Sequence, residues 1–383
     1  MAFPKPHITP DSFFHKTSPS TALPPSPSTW PITIYFISGN PGLISYYHAF
    51  LSFLSKNLAS SSAPGQDTFH IVGHSLAGFE LEPADTAFNN EKGTQVENPS
   101  PDHDYDLEEQ ICFMQGRLAT HMHGLCAGST GTSTSRSNSL DAPAESQLQL
   151  ERPRVILIGH SVGTYIAMEI LRRHREQRQD QDISNDGGFD IVGGVMLFPT
   201  VMDIAHSPAG RRLTFLLRFI PQLALVVSFL ARILTAVLPN SILRAVIRYV
   251  MRSPPDAAVA ATASFLKSRR GVRQALHMGA DEMRTITTDK WSDDVWGVSG
   301  ATASESQGQS QRQLLTRLFF YFGRNDHWVA EQTREEIVAA RGATKTGTGP
   351  KMIVCEEALP HAFCLRHNET MANKVADMVQ EIL

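Results

Sequence analysis

Apolar positions along the chain fall into short unbroken runs separated by amphipathic stretches. Ile32–Ser38 (ITIYFIS) is apolar almost throughout and rich in β-branched and aromatic residues, which predicts a strand. The turn cluster Gly39-Asn40-Pro41-Gly42 stops it. Ser45–Leu58 then sets Tyr46, Phe50, Phe53, Leu54 and Leu58 at helical spacing. Phe69–Val72 reads as a strand, Asp106–Ala119 as a helix, Arg154–Ile158 as a strand, Val162–Arg173 as a helix and Ile191–Phe198 as a strand. After a long interval come strand Leu318–Phe322, helix Glu331–Ala340 and strand Met352–Glu356. A last helix places Met371, Val375, Met378, Val379 and Ile382 on one face. Strands that are continuous apolar runs, alternating with helices, predict an α/β fold with a mostly parallel sheet covered on both faces.

Other stretches break this alternation. Residues 1–30 hold seven prolines with serines between them and no apolar core of a signal peptide, so a disordered tail is expected. Residues 82–105 and 122–150 are rich in Ser, Thr, Asn, Gly and Asp and read as low-complexity loops within a core of 31–200 and 314–383. Residues 297–313 read as a polar linker. The interval 201–296 is apolar and helical, an expected cap insertion.

The 383 residues are 42% apolar and 19% charged, which fits a globular protein. A net charge of −4 gives no reason to expect a nucleic-acid partner. Four cysteines without a CxxC pair are too few for a disulfide scaffold and suggest a reducing compartment.

The sharpest chemical signal is Gly159-His160-Ser161-Val162-Gly163, placed between a predicted strand and a predicted helix. That is the G-x-S-x-G elbow in the context it requires, and chance supplies roughly 0.1 such matches in a chain of this length. The expected nucleophile is therefore Ser161. Gly73-His74-Ser75-Leu76-Ala77-Gly78 competes weakly, because Ala77 replaces the second glycine and no helix follows. A serine nucleophile needs a base, and the base needs an orienting carboxylate. In the order Ser, Asp, His, these sit on loops after later strands. Asp326 and His361 fit those loops; His327 is the weaker base, and Asp281, Asp289, Asp293 and Asp294 are weaker acids because no strand precedes them. The oxyanion hole is expected from the amide of Val162 and an amide of the 39–42 turn. Pro41 has no N–H, so Asn40 is the natural donor, with Gly39 second. His121-Met122-His123 with Cys126 completes no metal-ligand pattern, and no GxGxxG or Walker loop occurs, so neither metal nor other cofactor is expected.

With these residues in hand, the chain resembles the lipid-droplet-associated hydrolase family of α/β-hydrolases. The matching pieces are ISGNPG (Ile37–Gly42) with Tyr46, Tyr47 and Phe50, then HSLAGFE (His74–Glu80), LEEQI (Leu107–Ile111) and LIGHSVGTY (Leu157–Tyr165). LFPT (Leu197–Thr200), SPAGR (Ser207–Arg211), GRNDHW (Gly323–Trp328) and LPHAF (Leu359–Phe363) follow in order. The resemblance implies the α/β-hydrolase fold and a serine lipase or esterase acting on lipid esters, sterol esters among them. It implies a place on lipid droplets and the endoplasmic reticulum membrane, as a peripheral protein involved in lipid storage or turnover. It carries the nucleophile to Ser161, the acid to Asp326 and the base to His361.

The 201–296 interval bears on that place. Residues 213–238 hold 19 apolar residues of 26, yet the longest uncharged run, Phe219–Ala231, is 13 residues and is interrupted by Pro221. A bilayer-spanning helix needs about 20, so no span is expected. Residues 211–252 carry seven arginines and no acid, a charge of +7 that leaves −11 for the rest of the chain. Arg244, Arg248 and Arg252 recur every four residues, on one expected helical face. A basic, apolar helical hairpin of this kind suits a lipid interface, with Arg218, Phe219, Phe229, Arg232, Arg244 and Arg248 as contact residues. An internal cap over the active site is the competing explanation. Two other functions stay open at this stage: a droplet-surface organising protein with little hydrolysis, and a soluble acyltransferase or small-ester esterase.

Overall fold

The middle strands of the central sheet are buried on both faces, and their sequences show why. The computed structural model describes residues 5–17, 30–61, 68–81, 103–130, 152–180, 188–220, 222–298, 316–342 and 349–383. Among them, eight strands form one sheet: β1 (His7–Thr9), β2 (Ser12–Lys16), β3 (Ile32–Ile37), β4 (Phe69–His74), β5 (Arg154–His160), β6 (Asp190–Leu197), β7 (Arg317–Phe322) and β8 (Lys351–Val354). Their order is β1-β2-β4-β3-β5-β6-β7-β8, parallel from β4 to β8, with β1 and β2 antiparallel at one edge. Side chains alternate across each strand. Ile32, Ile34 and Phe36 of β3 enter one core, and Tyr35 and Ile37 enter the other. Ile156 and Ile158 against Val155 and Leu157 repeat the division in β5.

Helices α1 (His48–Ser61) and α11 (Asn368–Ile382) cover the first face with Phe50, Leu54, Met371, Val375 and Val379. Helices α2 (Leu107–Thr130) and α3 (Val162–Asp180) cover the second. Between β6 and β7 lie α4 (Pro208–Phe219), α5 (Leu223–Val237), α6 (Asn240–Val250), α7 (Asp256–Lys267), α8 (Gly271–Thr285) and α9 (Asp293–Trp296). Helix α10 (Glu331–Arg341) joins β7 to β8.

Three expectations are corrected here. Residues 7–16 are not part of a disordered tail. They form the β1–β2 hairpin around Pro10-Asp11, with Phe13 fully buried and β2 paired to β4. Proline suits the first turn position, and the alternation of buried Phe13 and His15 with exposed Phe14 and Lys16 fixes the register. Residues 122–130 are not loop. Met122 continues the buried stripe Leu107, Ile111, Met114, Leu118, so α2 runs to Thr130. Arg252 is not on the face of Arg244 and Arg248, because α6 ends at Val250 and Arg252 turns away with φ +56°. The 297–313 linker, from residue 299 onward, lies outside the described residues, as do 1–4, 18–29, 82–102 and 131–150.

The hairpin edge also sets a pH response. Burial pushes His48 and His70 down to about 4 and His74 to about 3, and neither ring nitrogen of His70 has a hydrogen-bond partner among the described residues. Unfolded imidazoles titrate near ~6.5. The folded state thus favours the neutral rings, and the stability this carries is full above about pH 6.5 and is lost as pH falls toward about 4. Melting temperature should therefore drop between pH 7.5 and pH 5. His70 contacts the rings of Phe14 and His121, so His70→Phe keeps an aromatic ring there. Its melting curve should depend less on pH than the parent's; an identical pH slope would contradict this account.

Candidate active site

The elbow forms because two glycines let three backbone segments meet. A Cβ on Gly163 would lie 2.3 Å from the Ile37 carbonyl oxygen, and one on Gly159 would lie 2.5 Å from the Gly163 carbonyl oxygen. Only glycine fits either position. Between them Ser161 adopts φ +54° at the junction of β5 and α3, held by its N–H on Leu197 O at 3.0 Å. A non-glycine residue at positive φ is uncommon and strained, and here it lifts the hydroxyl clear of the sheet.

Asp326 follows β7. Its Oδ1 accepts from the Trp328 amide at 2.9 Å, which fixes the carboxylate in the turn. His361 follows β8. Its Nδ1 lies 2.9 and 2.8 Å from the two Asp326 oxygens, and its Nε2 lies 2.9 Å from Ser161 Oγ. The Asp326 and His361 side chains are 2% and 8% exposed, so bulk water weakens this chain little. The carboxylate faces Nδ1 as an acceptor, so Nδ1 carries the proton and Nε2 is left to accept from the serine hydroxyl. The structure thus brings together the serine, histidine and aspartate expected from three separate loops.

The weaker alternatives have other partners. Ser75 is buried, accepts from the Ile44 amide and donates to Asp11. His327 is exposed, its ring 6.0 Å from that of His361. Asp281 accepts from the Leu107 amide, Asp289 and Asp293 pair with Arg341, and Asp294 faces Arg175.

Val162 opens α3, where an N–H has no intrahelical acceptor. In the 39–42 turn, Gly39 N–H already donates to Tyr47 Oη at 3.3 Å. That leaves Asn40 as the next amide of the turn, since Pro41 has none.

Two buried features around the site escaped the sequence. The Tyr47 hydroxyl, besides accepting from Gly39, donates to His160 Nδ1 at 2.8 Å, and His160 Nε2–H donates to the His361 carbonyl at 2.9 Å. Burial holds His160 well below its ordinary value, so the neutral ring fits this directed chain. The chain ties the turn, the elbow and the histidine loop together. The signal was present as Tyr47 and His160 in the motifs, but their partners lie 113 and 201 positions away. The second feature is Glu282 of α8, hydrogen-bonded to Asn40.

Helices α4–α6 present a different surface. Phe215, Phe219 and Phe229 are 61%, 63% and 64% exposed, and Leu230, Val237, Tyr249 and Val250 are exposed with them. Arg218, Arg232 and Arg244 are exposed alongside, and Arg248 pairs with Asp256 at 2.6 Å. Inward, α6 buries only Leu243 and Ile247, against Val259 and Ala263. Helices α4 and α5 meet at a 95° bend, and no single helix among the described residues is long and apolar enough to cross a membrane.

A mostly parallel sheet, with a serine on a strand–turn–helix elbow and an acid and a histidine from the loops after β7 and β8, defines an α/β-hydrolase. Residues 31–364 match the family described as lipid-droplet associated hydrolase, and the chain belongs to that family. A lipid droplet-associated hydrolase of Pongo abelii is 24% identical over 352 residues, which are 92% of this chain and 86% of that protein. That of Rattus norvegicus is 26% identical over 355 residues, 91% of this chain and 85% of that one. Among solved structures, a haloalkane dehalogenase from Bradyrhizobium elkani aligns with a TM-score of 0.48 at 13% identity, covering 99% of this chain and 97% of that chain.

Proposed function

We propose that this protein is a serine hydrolase of lipid esters, sterol esters among them, that works through an acyl-enzyme on Ser161. The observation that carries the proposal is the hydrogen-bonded chain Asp326–His361–Ser161. In the attack, Ser161 Oγ bonds to the ester carbonyl carbon while its proton passes to His361 Nε2. The imidazolium so formed is stabilised by the Asp326 carboxylate at Nδ1. The carbonyl oxygen gains charge and accepts from the amides of Val162 and Asn40. Collapse breaks the bond to the alcohol, which takes the proton from Nε2. Water then repeats the sequence on the acyl group, with His361 as its base, and releases the acid and free Ser161. Each proton in this cycle starts and ends on a named group, so these residues need no further co-reactant.

The place of action is a lipid droplet or the adjoining endoplasmic reticulum membrane, reached through the exposed face of α4–α6. Supporting this are the exposed phenylalanines, the arginines beside them and the names of the relatives. An exposed apolar patch of this kind marks a contact surface, and arginines favour an anionic lipid surface over a protein core.

The test is labelling with an alkyl fluorophosphonate. The parent protein should be labelled, Ser161→Ala should not be, and Ser75→Ala should be labelled like the parent. Retained labelling of Ser161→Ala would move the nucleophile elsewhere.

A further inference from the structure

Helix α8 brings a carboxyl group to the turn that precedes the elbow. Glu282 is 5% exposed. Asn40 Nδ2 donates to Glu282 Oε1 at 2.9 Å and to the Ala275 carbonyl at 2.9 Å. Both acceptors of the Asn40 amide thus lie on α8. The other end of that side chain, Oδ1, is buried and receives no hydrogen bond from any described residue. Burial, reinforced by neighbouring Asp281, pushes Glu282 up to about 8 against the pull of the Asn40 hydrogen bond. Burial therefore favours the protonated carboxyl over the carboxylate.

The position matters because the turn is crowded against the nucleophile. A Cβ on Gly39 would lie 2.9 Å from Ser161 Cβ. A small shift of Asn40 therefore moves its backbone amide relative to the carbonyl oxygen bound at Ser161. Oxyanion donors act only when set at about 2.7–3.1 Å from that oxygen before reaction.

We propose that Glu282 is a positioning residue for the oxyanion hole: it holds the Asn40 side chain, and through it the Asn40 amide, in place beside Ser161. The proposal rests on Ser161 being the nucleophile. Since α8 also packs against α4 and α5, the same contact links the reacting atoms to the helices that carry the exposed apolar face.

The test compares Glu282→Gln, Glu282→Ala and Glu282→Asp. The readouts are the rate of Ser161 phosphonylation by an alkyl fluorophosphonate, kcat and KM for a short-chain p-nitrophenyl ester, and the melting temperature. Glutamine keeps an acceptor for Asn40 Nδ2 and offers a donor to Oδ1, so Glu282→Gln should match the parent. Glu282→Ala should lose about tenfold or more in kcat and in phosphonylation rate with KM unchanged, because one oxyanion donor is worth about 10²–10³ in rate. Glu282→Asp, one methylene shorter, should show the same kcat loss, and it carries the test if the alanine variant does not fold. Parent-like kcat in both shortened variants, or a loss seen only in melting temperature, would overturn the proposal. So would a glutamine variant as slow as the alanine one. A parent that is never phosphonylated would overturn the nucleophile assignment and this proposal with it. A labelled parent beside an equally reactive Glu282→Ala would overturn this proposal alone.

Discussion

Replacing His361 with alanine is expected to lower turnover of a p-nitrophenyl ester by about four to six orders of magnitude, with KM little changed. Without the imidazole, Ser161 has no group to take its proton, and a neutral hydroxyl is a weak nucleophile. The loss falls on kcat because the histidine acts on the transition state and not on ground-state binding. Asp326→Asn is expected to cost about four orders of magnitude. An amide at that position offers an N–H toward Nδ1, favours the proton on Nε2, and so turns the ring's acceptor away from Ser161. Stopped assays on purified variants, with circular dichroism to check folding, measure both effects. A folded His361→Ala enzyme within about tenfold of the parent would remove His361 as the general base.

The second large effect concerns lipid. Phe219→Asp with Phe229→Asp should abolish binding to triglyceride emulsions coated with anionic phospholipid, while leaving hydrolysis of a soluble short-chain ester near the parent rate. Each phenylalanine transferred from water to an apolar phase is worth about 1.5–3 kcal/mol, and a carboxylate in its place opposes insertion. Both side chains are more than half exposed, so the fold loses little. Arginines near an anionic surface add about 1 kcal/mol each, and salt screens that part alone. Replacing Arg218, Arg232 and Arg244 with glutamine should therefore weaken binding at low salt and make it less sensitive to salt, without abolishing it. Flotation of the protein with the emulsion measures all three. A doubly substituted protein that floats like the parent would make α4–α6 a surface with some other purpose.

Much of the candidate site was legible because each part is announced locally. The elbow needs two glycines around a serine, and Asp326 and His361 each lie on a loop that follows an apolar strand. The sheet was legible for the same reason: strands buried on both faces cannot hide their apolar runs. What escaped depended on partners far along the chain. The β1–β2 hairpin is masked by prolines and serines, and only Phe13 and His15 at alternate positions betray it. The end of α2 was hidden by small polar residues, although Met122 kept the stripe. Glu282 meets Asn40 across 242 positions. Its trace in the sequence is an acid falling on the stripe Val272, Ala275, Met278, Gly279, Met283 that α8 turns inward, where a carboxyl group has no place unless something binds it.

The central claim is a covalent acyl group on Ser161, and one measurement addresses it without knowledge of the natural ester. The protein is mixed with a slowly released acyl donor such as a p-nitrophenyl ester, quenched in acid during turnover, and analysed as intact protein and as peptides by mass spectrometry. The account predicts a mass increase of one acyl group, confined to the peptide containing Gly159-His160-Ser161-Val162-Gly163 and absent from Ser161→Ala. Turnover with no adduct on that peptide, or an acyl group found on the peptide containing Ser75, would contradict it.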